Sequence, residues 1–261
     1  VLVEPDIETY NIDVNKIDKK ITKKTRVILA VHLYGKSCEM DKILNICRKK
    51  NLYLIEDCAQ SHGSKYKNKN TGLFGDFSCF SFYPTKLLGA IGDGGAIISK
   101  KKKFKDYLKK FKNYSKIKRY KNDIIGQNSR LDEIQALFLD IKLKSLNRII
   151  LHKKKLAEVY FSNLNKNFIL PKIENHKSDT FYIFNVRHEK RNKLKEYLTK
   201  NNIMTDIHYP IPPFKQIALK PYFSDNYPIS QEIHNTTLSL PISFAHTQKE
   251  IHNLTKIMNR F

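Results

Sequence analysis

Arg26-Val27-Ile28-Leu29-Ala30-Val31, the stretch from Met40 to Lys50, and Leu52-Tyr53-Leu54-Ile55-Glu56-Asp57 together decide the fold. The first run is continuously apolar from Val27 and rich in β-branched residues, the pattern of a strand buried on both faces of a parallel sheet. Tyr34-Gly35 breaks it. Met40, Ile43, Leu44 and Cys47 then recur at spacings of three and four, which predicts an amphipathic helix ending at Asn51. Strand, helix and strand in that order make a βαβ unit, and its right-handed crossover covers the sheet with helices.

Outward from this unit the pattern continues. Residues 65–75 read as a polar loop. Phe77-Ser78-Cys79-Phe80-Ser81-Phe82 and Gly95-Ala96-Ile97-Ile98-Ser99 read as strands on either side of a Gly-rich turn. Residues 101–112 predict a basic helix. Residues 130–146 predict another, with Ser129 as its N-cap and a wide apolar stripe through Leu131, Ile134, Leu137, Phe138, Ile141 and Leu146. A further helical stretch over 149–163 makes a pair of long helices that bridge two domains. Beyond it lie a strand at 181–186, a helix at 191–201, a short strand ending at Asp206-Ile207-His208-Tyr209, a Pro-rich turn, and a closing helix at 248–258. The chain thus divides into a large α/β domain with its bridging helix, residues 1–147, and a small α+β domain, residues 148–261.

The 261 residues are 41% hydrophobic with only nine Gly and nine Pro, which excludes a disordered or fibrous chain. Basic residues outnumber acidic ones 48 to 25, a net charge of +23 that favours an anionic partner. The lysines gather in runs such as 100–103 and 153–155 without interleaved aromatic residues, so they read as a solvated surface rather than a nucleic-acid groove. Cys38, Cys47, Cys58 and Cys79 have neither CxxC spacing nor a His pair at finger distance. They point to free thiols in a reducing cytoplasm, with no disulfide framework and no metal site. No apolar run approaches the ~18 to 20 residues that cross a bilayer. Val1-Leu2-Val3-Glu4-Pro5-Asp6 reads as a short strand-like piece rather than a signal peptide.

Two segments at strand C-termini, where open α/β sheets bind ligands, carry the chemistry. One is Glu56-Asp57-Cys58-Ala59-Gln60-Ser61-His62-Gly63; the other is Phe80-Ser81-Phe82-Tyr83-Pro84-Thr85-Lys86, followed by Gly92-Asp93-Gly94-Gly95. A carboxylate closing one strand and a lysine just past another suit pyridoxal 5'-phosphate, whose aldehyde needs an amine and whose ring nitrogen needs an acid to stay protonated. The lysine, once displaced by substrate, is an amine free to move protons.

These segments, with Gly75-Asp76, Gly126-Gln127-Asn128-Ser129-Arg130-Leu131-Asp132-Glu133-Ile134-Gln135-Ala136 and His208-Tyr209-Pro210-Ile211-Pro212, resemble the DegT/StrS-type sugar-nucleotide aminotransferases over nearly the whole chain. The resemblance implies the fold type I, aspartate aminotransferase-like PLP-dependent transferase architecture: a three-layer α/β/α large domain and a small α+β C-terminal domain. By position it implies that Lys86 is the Schiff-base lysine and that Asp57 is the partner of the pyridine nitrogen. Gln60 would meet the ring hydroxyl side and Ser81 the phosphate, while Asn128 would reach the phosphate of a neighbouring subunit in a homodimer. His208 and Tyr209 would face the substrate. The implied reaction moves an amino group from glutamate to a keto sugar nucleotide, a dTDP-3-keto-6-deoxyhexose, for cell-surface glycans; neither nucleic acid nor membrane takes part. In such proteins roughly a hundred residues precede the segment resembling residues 1–10, within the size range of two-domain folds, and carry a phosphate-gripping Gly-Ser/Thr loop and a ring-stacking aromatic. Neither has a counterpart here, and Leu87 replaces the polar residue common after the lysine, so the chain is expected to be an N-terminally truncated member. A truncated inactive or split-subunit relative, and a charge-driven nucleic-acid binder, stand as the alternatives.

Overall fold

Val27–Val31 forms β1, Met40–Lys50 α1 and Tyr53–Asp57 β2, so the deciding stretch folds as the βαβ unit its pattern predicts. They belong to a computed structural model that describes residues 1–118, 121–122, 124–223 and 226–261. Asn51 stops α1 by turning left-handed, φ 52°, while its N–H returns to the carbonyls of Cys47 and Arg48. Phe77–Ser81 (β3) and Gly95–Ser99 (β4) complete a sheet of order β1-β2-β3-β4, with β1, β2 and β3 parallel and β4 antiparallel at the edge. The predicted polar loop holds a small hairpin, Lys65–Tyr66 against Lys69–Asn70, to which Lys177–Ser178 adds a third strand.

The register sorts the sheet into two faces. Val31, Asp57, Cys79 and Ile97 stand in one row across the four strands, and the period of two puts Leu29, Ile55 and Ser81 on that same face. Ile28, Ala30, Leu54 and Glu56 occupy the other. There Met40, Ile43 and Cys47 of α1 seal the sheet into a core. The expectation that β1 is buried on both faces is corrected: Val27, Leu29 and Val31 are 41%, 55% and 37% exposed. Among the described residues no helix crosses that face above β1. One helix, α2 (Lys102–Phe111), reaches it farther along, where Phe104 stacks on Phe77 at 4.6 Å and meets Tyr53 edge-on at 5.9 Å.

The two bridging helices are in fact one. α3 runs unbroken over Glu133–Asn163, because Ser145-Leu146-Asn147-Arg148 contains neither Gly nor Pro to end it. It begins after Asp132, so Ser129 is not its cap. Its first half holds the Gly-rich turn: Gln135 Oε1 accepts the N–H groups of Ile91 and Gly92, and Lys142 donates to the Gly89 carbonyl. Its second half enters a separate core. There Leu156, Ala157 and Tyr160 pack on an antiparallel pair, Phe184–Arg187 (β5) with Thr237–Leu240 (β6). Around that pair lie α4 (Arg191–Lys200), α5 (Pro228–Thr236) and α6 (Gln248–Met258). A complete capping box between Thr247 and Glu250 starts α6. The strand expected at 181–186 begins later, since Phe181 adopts a left-handed φ of 48°. Asp206 makes only an isolated bridge to Ser239. No helix among the described residues is long and apolar enough to cross a membrane.

Candidate active site

Asp57 ends β2 on the open face, half-buried. Its Oδ1 accepts the Ala59 N–H at 2.9 Å, and its backbone carbonyl accepts the His32 N–H at 3.1 Å. The carboxylate makes no ion pair among the described residues, yet its charge is felt nearby. Burial first, then Asp57, raises the Cys79 thiol, and burial with Tyr182 and Asp57 raises the Tyr209 hydroxyl against the opposing hydrogen bond from Gln60.

Beneath Asp57, on the closed face, Glu56 is fully buried and accepts five hydrogen bonds. The donors are His32 Nε2 (3.0 Å), the N–H groups of Gly72 (2.8 Å), Phe74 (2.8 Å) and Gly75 (2.6 Å), and the Ser78 hydroxyl (3.3 Å). Burial works against its ionisation, but His32 and the glycine N–H groups outweigh it and hold the carboxyl below its ordinary range. The Cys38 N–H donates to His32 Nδ1 at 3.1 Å, so that nitrogen carries no proton and the neutral ring points its own N–H at Glu56. His32, Glu56 and Cys58 converge as metal ligands do. Their polar atoms are already engaged with one another and with backbone, which makes the cluster a knot that fixes the end of β2.

Gln60 is buried, and its amide has one orientation. Oε1 accepts the Tyr34 N–H at 2.7 Å, so Nε2 must face Tyr209, whose hydroxyl it reaches at 3.1 Å, leaving its second hydrogen uncommitted. Tyr34 also donates its hydroxyl to the His208 carbonyl, and His208 Nδ1 lies 2.9 Å from Ser239 Oγ. The His208–Tyr209 peptide is cis. Both residues help line an apolar groove of about 900 Å³ whose walls also include Val27, Leu29 and Val31.

Lys86 arrives from the turn after β3. Its N–H bonds the Tyr83 carbonyl at 2.9 Å, and its ammonium rests 4.7 Å from the centre of the Tyr182 ring. No carboxylate neutralises it among the described residues. The lysine's charge lowers both His62 and His208, in each case after burial as the larger cause. Ser81 ends β3 on the open face, its Oγ accepting the Tyr83 N–H at 3.3 Å with the hydroxyl hydrogen left to donate.

The structure therefore gathers Asp57, Gln60, Lys86, His208 and Tyr209 around Tyr182 and Tyr34, with Ser81 on the same face of the sheet. Asn128 stays outside this bonded set. It is exposed, and its side-chain oxygen accepts from Arg130 Nε at 2.9 Å. Sequence reasoning took Tyr34 as a strand break, Tyr182 as a strand residue, and gave His62 no role. Nothing local marks them, because each joins the site through contacts far along the chain. The set fits pyridoxal phosphate in its donors: an amine free of carboxylates, an acid with an oxygen to spare, and an amide hydrogen and a hydroxyl hydrogen still unused.

The profile of the DegT/DnrJ/EryC1/StrS aminotransferase family matches residues 1–259. A dTDP-3-amino-3,6-dideoxy-alpha-D-galactopyranose transaminase of Aneurinibacillus thermoaerophilus is 45% identical over 262 residues, spanning all of this chain and 72% of that protein. The crystal structure of S. venezuelae DesV in complex with a ketimine intermediate superposes with a TM-score of 0.96 at 32% identity, covering 100% of this chain and 71% of DesV. NtdA of Bacillus subtilis, solved with bound cofactor PMP, does so at 0.90 and 25%, covering 100% of this chain and 62% of its own. With sequence profile, relatives and fold in agreement, the chain belongs to the DegT/DnrJ/EryC1/StrS aminotransferase family.

Proposed function

We propose that this chain is a pyridoxal-phosphate aminotransferase that moves an amino group from glutamate onto a keto sugar nucleotide, a dTDP-3-keto-6-deoxyhexose. The observation that carries the reading is that the Lys86 ammonium, paired with no carboxylate among the described residues, rests on the Tyr182 ring, while Tyr182 and the Asp57 carboxylate both act on the Tyr209 hydroxyl. Bound there, pyridoxal phosphate supplies an aldehyde for amines and a ring that takes up electron density. Asp57 would offer the carboxylate oxygen not held by Ala59 to the ring nitrogen and favour its protonation. Gln60, locked by Tyr34, would offer its remaining N–H to the ring's hydroxyl side, and Ser81 would offer its hydroxyl hydrogen to the phosphate. Lys86 would hold the cofactor through Nζ and, once free of it, would be the amine placed to take up a proton and return it.

The 45% identical relative supports the dTDP-linked 3-amino sugar as product class. The net charge of +23 favours capture of a diphosphate. His208 and Tyr209, which line the groove, are the residues we assign to the sugar. A homodimer in which Asn128 reaches a neighbour's phosphate is supported by its exposure and by the exposed apolar stripe Ile134, Leu137 and Ile141 on α3. We also propose two lobes divided within α3 near residues 147–148, and a reducing cytoplasm for the four free thiols. One observation favours the second reading, a chain that works with a further polypeptide segment: Val27, Leu29 and Val31 lie uncovered beside the site.

The test is amino transfer itself. Incubated with pyridoxal phosphate, glutamate and a dTDP-3-keto-6-deoxyhexose, the protein is expected to yield the amino sugar nucleotide by mass, and Lys86→Ala none. Cofactor held on Lys86 without any transfer to a keto sugar nucleotide contradicts the reading.

A further inference from the structure

Lys153 differs from the lysines of the surface runs. It is 6% exposed, within α3, and its Nζ donates to the backbone carbonyl of Tyr182 at 3.0 Å. No carboxylate pairs with it among the described residues, and burial pulls its amine down to about 8. A lysine on a helix ordinarily extends its ammonium to water, so a buried, unneutralised one needs a compensating contact. Here that contact is a single carbonyl and the ring beside it.

Two ammonium groups lie within reach of the Tyr182 ring. Lys86 Nζ is 4.7 Å from its centroid and Lys153 Nζ 5.9 Å. The Tyr182 hydroxyl sits 3.4 Å from Thr85 Oγ1, one residue before Lys86. Phe181, immediately before it, is left-handed, and a side chain at Gly35 would come within 3.1 Å of the Tyr182 nitrogen. The segment is thus bent, close-packed against Gly35 at its nitrogen and anchored by Lys153 at its carbonyl.

We propose that Lys153 is a positioning residue for Lys86: by holding the Tyr182 carbonyl it fixes the aromatic face on which the Lys86 amine rests, and so sets how that amine meets an incoming carbonyl compound. The inference deepens the reading of Lys86 as the reacting amine and adds two residues to it. Removing the anchor frees the ring and with it the Lys86 amine, and removing the ring frees that amine by another route.

The experiment measures Lys86 alone, in the full chain without cofactor. A brief pulse of a water-soluble acylating ester is quantified at each lysine by peptide mass. Lys153→Met and Tyr182→Leu are each expected to raise Lys86 labelling about two- to fivefold, the span of a lost cation–π contact. The double variant is expected to rise no further than either single one. Lys153→Arg, which keeps charge and donor, is expected to label close to the native rate. Lys142, on the same helix and bonded to the Gly89 carbonyl, serves as internal standard and is expected to keep its rate. An unchanged Lys86 rate in Lys153→Met overturns the proposal. So does a joint rise of Lys86 and Lys142, or a double variant whose effects multiply. If Lys153→Met does not fold, Tyr182→Leu decides, and an unchanged Lys86 rate there overturns it as well. Covalent capture of pyridoxal phosphate is read in a separate sample, so failure of the cofactor reading and failure of this one are told apart.

Discussion

His62 packs against the rings of Phe80 and Phe82, 5.6 and 6.1 Å away, with burial and then the Lys86 charge pushing it down to about 4. In the unfolded chain it titrates near its ordinary ~6.5. Between those values the unfolded chain binds a proton that the folded one refuses, so His62 leaves stability intact above pH 6.5 and removes it as pH falls toward 4. The loss approaches about 3 kcal/mol. Urea midpoints at pH 7 and pH 4.5 are expected to differ less in His62→Phe than in the native chain; an equal difference contradicts a buried neutral imidazole. Asp57 and Lys86 could be singled out in the sequence because one closes a strand, the other lies in the turn after another, and each carries chemistry in its own side chain. His62, Tyr34 and Tyr182 were not, because what they do depends on partners such as Lys86 and Gln60 that only folding brings within reach.

Among the elements, the turn after β3 decides where the lysine points. Gly89 is needed there for space: a Cβ at that position would lie 2.4 Å from the Pro84 carbonyl oxygen and 2.7 Å from that of Tyr83, both backbone atoms that cannot yield. Gly89→Ala is expected to shift the turn and to lower covalent capture of pyridoxal phosphate on Lys86 by roughly tenfold or more, as small misplacements of reacting groups do. Unchanged capture would show that the turn tolerates displacement. α1 was readable to the residue, since a period near 3.6 is bounded by Asn51, and α6 matches the closing helix expected at 248–258, which the structure starts with the Thr247–Glu250 box. α3 and β1 were misread for opposite reasons. A change of stripe along α3 looked like two helices, whereas it is one helix passing between two cores. An apolar run in β1 looked doubly buried, although burial depends on what lies opposite rather than on the strand itself.

Across the whole molecule, the two faces of the sheet make different demands on its residues. Ile28 faces α1 and its neighbour Leu29 faces the open side, 6% and 55% exposed. Ile28→Ala is expected to cost about 2–5 kcal/mol and Leu29→Ala under about 1 kcal/mol by denaturant unfolding. Equal costs would mean that the open face is covered. Asp57 and Ser81 share that open face with the Val31–Cys79–Ile97 row, so the candidate site grows out of the side of the sheet that the helix α1 leaves free. The measurement closest to the central claim is borohydride trapping with pyridoxal phosphate, followed by peptide mass mapping. The account predicts a single adduct on Lys86, weakened in Asp57→Asn and absent in Lys86→Ala. Label scattered over the exposed lysines, with Lys86 no richer than the rest, would contradict it.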